Sequence, residues 1–345
     1  MPLLVKGPKK QSIRLKRVHK YSMIQSRDRL MPHMEGLVET TLPVEGPTTT
    51  SIRLLRNANP ESLEMGSKQS NIWAFVWTAC SVLADIASNV AALPRLPGEA
   101  PLAAIELGCG SGVVSLAFAA GGGRAVATDI VGDALRLLAR SAELNDICCR
   151  DGDTTPGCGS GPICTHRVDW LAPSAASVLQ DKCAAAARPD IVFGADVLYL
   201  ESSVRSQLVL TRQLLCRGST VSYSRPHSLR LAVFVDPGRF SRDFLEAVAP
   251  EEGLRVLLRR DLEYLPTPIA CMRVCTVFVL GEASLCGALS DADLAADPIF
   301  ASVMATVRGL EGRVAALAAT GGPAPKCAYT LPPPQPAAAS SACPP

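Results

Sequence analysis

Charge of one sign, aromatic side chains, paired-cysteine motifs and long apolar runs are all scarce in this sequence. Lys plus Arg number 34 against 32 Asp plus Glu, a formal charge of +2 over 345 residues. No global field therefore draws the chain to nucleic acid or to an anionic membrane. Aromatics make up 5% of residues, too few for a surface on which single-stranded bases stack. None of the 13 cysteines forms Cys-x-x-Cys, so no zinc site of that spacing exists and no metal is expected. Their odd number and scatter read as reduced thiols in a reducing compartment, including the densest group, Cys148, Cys149, Cys158 and Cys164. No apolar run approaches the ~20 residues of a membrane span, and the first residues lack a secretory apolar core.

What is present is a hydrophobic content of 48%, enough for a substantial core, and one organising stretch. Residues 103–120 read Ala-Ala-Ile-Glu-Leu-Gly-Cys-Gly-Ser-Gly-Val-Val-Ser-Leu-Ala-Phe-Ala-Ala. A run of small or branched apolar residues ends in Glu106. Gly108, Gly110 and Gly112 then alternate, and an apolar helical run follows. This is a buried strand, a tight turn and a helix, the opening of a nucleotide-binding unit. Glycines there let backbone N–H groups approach a ligand closely. A dinucleotide fingerprint would put its third glycine at position 113, which is Val113, and no Gly-Lys-Ser/Thr ending marks a P-loop. A glycine-rich turn that holds no ligand is the plain alternative.

Glu106-x-Gly108-x-Gly110-x-Gly112 resembles the first motif of the seven-strand, S-adenosylmethionine (SAM)-dependent methyltransferases. Strands and helices alternate through most of residues 103–280, which predicts a doubly wound, mostly parallel α/β sheet. Strands are expected in the run from Ala103 that ends in Glu106, and at 124–129, 165–168, 190–195, 231–235, 254–260 and 272–280. The last two, with no helix between them, suggest a terminal hairpin. Helices are expected over 72–87, 132–145, 201–217 and 241–248. The domain reading is a basic extension over 1–66, a methyltransferase domain over 67–285, a C-terminal helix over 286–320, expected as one amphipathic helix through 291–319, and a disordered Pro/Ala-rich tail over 321–345.

Asp129 ends the second strand about twenty residues beyond the glycine loop, where a carboxylate accepts both ribose hydroxyls of an adenosine; capping the next helix is the other reading. Glu106 is placed beneath the amino-acid end of SAM, a cationic ligand giving a buried acid its reason. Asp169 and Trp170 follow the third strand, where this fold meets the adenine edge and face; Trp170 also reads as plain core.

A second stretch, Asp190-Ile-Val-Phe-Gly-Ala-Asp196-Val-Leu-Tyr199, runs from a buried strand into Asp-x-x-Tyr. With Trp77 and the glycine motif, it resembles the family-16 methyltransferases, many of which act on protein lysines. The resemblance covers about residues 70–282. Trp73-Ala-Phe-Val-Trp77 and Asp236-Pro-Gly-Arg239 also resemble the branch that methylates the β subunit of electron-transfer flavoprotein. The family-16 resemblance implies SAM contacts from Trp77, Glu106, Gly108, Gly110, Gly112, Asp129, Asp169, Trp170 and Ala195, and the branch's own substrate is not carried over. It also implies that Asp196 and Tyr199 orient an acceptor amine. The inserts at 146–162 and 172–188 depart from the family. The implied partner is a lysine-bearing protein met by a monomer, not nucleic acid and not a membrane. A small-molecule N-methyltransferase of the nicotinamide type, or a non-catalytic scaffold, are the alternatives. The expected location is intracellular: cytoplasmic, or an organelle if the nine Lys and Arg of residues 1–30 act as a targeting segment.

Overall fold

The structure is a computed structural model. It describes residues 37–57, 76–153, 161–182, 189–198, 200–216, 229–238, 241–266, 271–287 and 289–319. The basic start, Trp73, Tyr199, Arg239 and the Pro/Ala-rich tail lie outside them.

Two strands open the described chain, β1 (Leu37–Pro43) and β2 (Ser51–Asn57), paired antiparallel from Leu37↔Asn57 to Pro43↔Ser51. Leu42, Ile52 and Leu54 bury one face of this hairpin, the alternation a half-covered ribbon requires. Side chains of α3 (Gly132–Leu144) and the residue after it pin the edge of β2. Leu55 N–H donates to Ser141 Oγ at 3.0 Å and Arg53 N–H to Asn145 Oδ1 at 3.0 Å.

The central sheet holds β3 (Ala103–Leu107), β4 (Arg124–Asp129), β5 (Cys149–Asp151), β6 (Ile163–Arg167), β7 (Ile191–Ala195), β8 (Leu231–Asp236), β9 (Leu254–Pro266) and β10 (Cys271–Glu282). Their order is β5-β6-β4-β3-β7-β8-β10-β9. The first six run parallel; β10 inserts antiparallel between β8 and β9. The seven expected strands are all present. The eighth, β5, comes from the cysteine-bearing insert; three polar residues carry too little pattern to be read as a strand.

Both faces are covered, so alternate strand residues enter two separate cores. Ala104, Phe193, Val233 and Val277 pack in one with α1 (Thr78–Ala91), α2 (Val113–Ala120) and α3. Ile105, Val192, Phe234 and Phe278 pack in the other with α4 (Ala175–Lys182), α5 (Glu201–Cys216) and α6 (Ser241–Val248). Between β3 and β7 the chain changes the direction in which it winds, and the carboxyl ends of those two strands face one crevice.

After the short α7 (Ala283–Cys286) the structure departs from one continuous helix over 291–319. It forms α8 (Asp291–Ala296) and α9 (Pro298–Ala319). Pro298 has no N–H to continue a helix and drives Asp297 to an extended φ of −68° and ψ of 126°. Asp297 then caps α9, accepting from Phe300 N–H at 2.8 Å. On the far side, Arg313 of α9 bonds Asp85 of α1 at 2.8 Å and also Glu45, just after β1. One expectation about the cysteines is corrected: Cys164 is disulfide-bonded rather than a reduced loop thiol. Two residues further along β6, its neighbour His166 is fully buried.

Candidate active site

The carboxyl end of β3 runs into Gly108, Gly110 and Gly112, with φ of +65°, +48° and +76°. All three lie in the left-handed region that side chains rarely adopt. A Cβ on Gly108 would stand 2.7 Å from the Trp170 ring, and one on Gly112 only 2.9 Å from Leu138 Cβ. The first glycine thus admits Trp170 over the loop, and the last lets α2 start against α3. Cys109 N–H donates to Thr128 O at 2.9 Å, and Gly110 N–H to Asp129 Oδ2 at 3.0 Å. The loop is therefore stitched to the end of β4.

Asp129 is buried, and its other oxygen accepts from Val131 N–H at 2.9 Å. Burial pushes its carboxyl above the usual range, against these amide donors. The helix-capping alternative does not hold: α3 begins after Val131 without a side-chain cap.

Glu106 alternates with Ile105 and Leu107 and so faces α1 and α2. It is 2% exposed and lies beneath the loop, not on the cavity wall. Ser115 donates both its N–H, at 2.9 Å, and its hydroxyl to one Glu106 oxygen. Burial pushes this carboxyl up to about 8, partly offset by Ser115. The buried acid is thus accommodated within the protein before any ligand is considered.

A cavity of about 410 Å³ opens at this crevice, within the range of small-ligand sites. Trp77, Gly108, Gly110, Asp129, Asp169, Trp170, Ala195 and Asp196 all line it, eight of the eleven residues singled out from the sequence. Gly112 and Glu106 stand behind it, and Tyr199 lies outside the described residues. Asp169 accepts from Leu171 N–H at 2.9 Å, a turn that presents Trp170. Trp170 serves both readings, packing on the second core and walling the cavity. Asp196 follows β7 with φ of +54°, an uncommon state for a residue with a side chain. Its N–H is held by Val235 O of the next strand at 2.8 Å. Strain of this kind is concentrated at working sites.

Cys80, Ser111, Leu200 and Ser203 also line the cavity and were not foreseen. Cys80 lies one helical turn beyond Trp77, so the i, i+3 spacing carried a usable signal. Its thiol is pushed far up by burial, then by Glu106 and Asp196, and stays neutral.

The described lining carries three carboxylates, Asp129, Asp169 and Asp196, and no Lys, Arg or His. It also carries two buried polar atoms that have no hydrogen-bond partner, Ser111 Oγ and Trp170 Nε1. A cationic nucleoside with hydroxyl and carboxylate groups suits that set, so the residues fit SAM. Among the described residues no group of three or more His, Cys, Asp or Glu is placed to hold a metal ion. No described helix is long and apolar enough to cross a membrane.

A family model described as lysine methyltransferase matches residues 59–227, just under half of the chain. Among solved structures, the SAM-dependent methyltransferase from Agrobacterium tumefaciens is 16% identical, with 72% of this chain and 71% of that one covered at a TM-score of 0.44. The ribosomal protein L11 methylase of Lactobacillus delbrueckii subsp. bulgaricus is 15% identical, with 58% and 76% covered at 0.35. SMU.776, solved in complex with SAH, is 13% identical, with 69% and 57% covered at 0.43. No curated protein matches the chain significantly. Over residues 59–227 the chain is thus similar to the lysine methyltransferases, and that match supports a SAM-dependent methyltransferase domain.

Proposed function

We propose that this domain transfers methyl from SAM to the side-chain amine of a lysine in a protein. The observation that carries the reading is the placement of Asp196. Its carboxylate stands at the end of β7, in a cavity whose described lining is charged only negatively. Such a wall attracts an ammonium group and repels a phosphate backbone. The family description points to the same acceptor.

When bound, SAM supplies a methyl on a sulfonium, and the C–S bond breaks as the amine nitrogen forms a C–N bond. The chain's own groups bind and orient. Asp129 takes the ribose hydroxyls with the lone pairs left by Gly110 and Val131. Trp170 covers the adenine, with Asp169 at its edge. The amides of the glycine loop and Ser111 Oγ meet the carboxylate. Glu106 answers the ammonium from beneath the loop, and Trp77 and Ala195 close the walls.

Asp196 receives the lysine as a cation. A free lysine amine, with pKa near 10.4, must shed its proton before it can act as a nucleophile. Partial burial against Val197 and Leu200 favours the neutral amine. Asp196, with Tyr199 in the same Asp-x-x-Tyr segment, holds the amine in line and passes its proton toward solvent. Most of the acceleration comes from this positioning.

Replacement Asp196→Ala tests the assignment through separate binding and turnover measurements. Turnover should fall about 100-fold or more, while SAM affinity stays within about threefold, a difference under ~0.7 kcal/mol. Equal loss of both would remove Asp196 from the acceptor side.

A further inference from the structure

Six large aliphatic side chains are exposed among the described residues, and three of them stand on the lining of this one cavity. Ile130 is 50% exposed, Leu171 62% and Leu200 55%. Each sits just past the carboxyl end of a different strand: Ile130 after β4, Leu171 after β6 and Leu200 after β7. Each also lies within four residues of a cavity carboxylate, Asp129, Asp169 or Asp196. Scattered surface leucines need no explanation, but apolar side chains gathered at the mouth of an acidic cavity form a composite surface. Water gains nothing there, and a free amine small enough to enter the cavity would leave the rim uncovered.

We infer that the acceptor is an extended, lysine-bearing protein segment with apolar residues flanking the lysine, the ammonium going in to Asp196 and the flanks lying on Ile130, Leu171 and Leu200. This rests on the lysine reading above and adds the chemistry of the segment. The charge pattern selects among occupants. A nucleic acid would bring phosphates to a wall of carboxylates, and an acidic segment would meet the same repulsion. A segment with one cation and apolar neighbours satisfies both the floor and the rim. The preference should be moderate, because each rim side chain is already half covered. Burying the remaining half of one aliphatic residue is worth roughly a three- to tenfold change in kcat/KM.

The test is an oriented peptide library with lysine fixed at the centre and degenerate flanks, incubated with the full chain and methyl-labelled SAM. Expected is enrichment of Leu, Ile, Val, Met and Phe beside the methylated lysine by roughly three- to tenfold over Ser and Gly. In Leu200→Ser the enrichment should shrink toward unity, with SAH affinity as the check that the domain is folded. Leu171→Ser serves the same purpose if Leu200→Ser does not fold. Methylated lysines with random or acidic flanks would overturn the rim assignment while leaving lysine as the acceptor. Label in folded proteins of an extract but in no peptide would overturn the extended segment alone. Label confined to small molecules would overturn the lysine reading itself.

Discussion

The amide of Gly110 donates to Asp129 Oδ2 at 3.0 Å, across nineteen residues of sequence. This bond fixes the glycine loop after β3 to the end of β4, and the same carboxylate holds Val131 N–H at 2.9 Å. One side chain therefore shapes the loop and, in the proposed complex, meets the ribose.

Asp129→Ala should consequently weaken two properties by different amounts. Loss of the acceptor leaves two backbone donors without their partner, at about 1–3 kcal/mol of stability. Loss of two charge-assisted hydroxyl contacts should cost roughly 100-fold or more in SAM affinity. Titration calorimetry beside urea unfolding separates the two. Affinity kept within about threefold, under ~0.7 kcal/mol, would make Asp129 structural only.

Glu106 sets a pH dependence. Its carboxyl ionises near 8 in the folded chain, against an ordinary value of 4.5. Between those values the native state holds a proton that the unfolded state has released. Stability should therefore decline as pH rises through that window, with a slope of up to about 1.4 kcal/mol per pH unit from this group. Below 4.5 its contribution is fully present. Glu106→Gln should flatten that slope in unfolding curves taken between pH 5 and pH 8. Calorimetry of SAM binding at pH 7 in buffers of different ionisation enthalpy should show proton release in the wild type only. Unchanged slopes in the variant would assign the pH dependence elsewhere.

Two glycines separate backbone strain from crowding. Gly98 has φ of +88° with no atom within 4 Å of where a Cβ would stand, whereas Gly112 has φ of +76° and Leu138 Cβ 2.9 Å away. Gly98→Ala should cost about 1–2 kcal/mol, the strain alone. Gly112→Ala should cost about 2–5 kcal/mol, since overpacking adds to it. Denaturant titration of both variants measures the gap, and equal costs would contradict it.

Much of this was legible beforehand because strands buried on both faces are compact apolar runs. The sequence alone places β4 at 124–129 and α6 at 241–248, the bounds the structure has. The glycine spacing located the loop, and Asp129 and Asp196 fell where strand ends converge. Other features were not legible for physical reasons. β5 owes its existence to pairing with β6 rather than to its own three residues. The apolar period runs through 291–319 and masks the stop that Asp297-Pro298 imposes. The pairing of Glu106 with Ser115 was not legible either, because it depends on where α2 begins. The disulfide at Cys164 was not legible because an odd number of scattered cysteines does not define a pairing.

The brace between the first and last described elements gives a further test. Asp85 is buried, accepts Glu45 N–H at 2.8 Å, and meets Arg313 of α9. Burial pushes its carboxyl up, and Arg313 works against that. Arg313→Ala should destabilise the fold by about 1–2 kcal/mol, discounted because the arginine side chain is itself 39% exposed. Adding Asp85→Asn should recover part of the loss by removing the charge left without its cation. A double-mutant cycle in urea with no coupling between the two positions would contradict this.

The central claim is transfer of methyl to protein lysine, and one measurement addresses it most directly. Cell extract is incubated with methyl-labelled SAM and either the wild-type chain or Asp129→Ala, then treated separately with protease and nuclease and hydrolysed to amino acids. The account predicts label in protein, released by protease and not by nuclease, recovered as methyl-lysine and lost with the variant. Label that nuclease releases, or that resides only in small molecules, would contradict it.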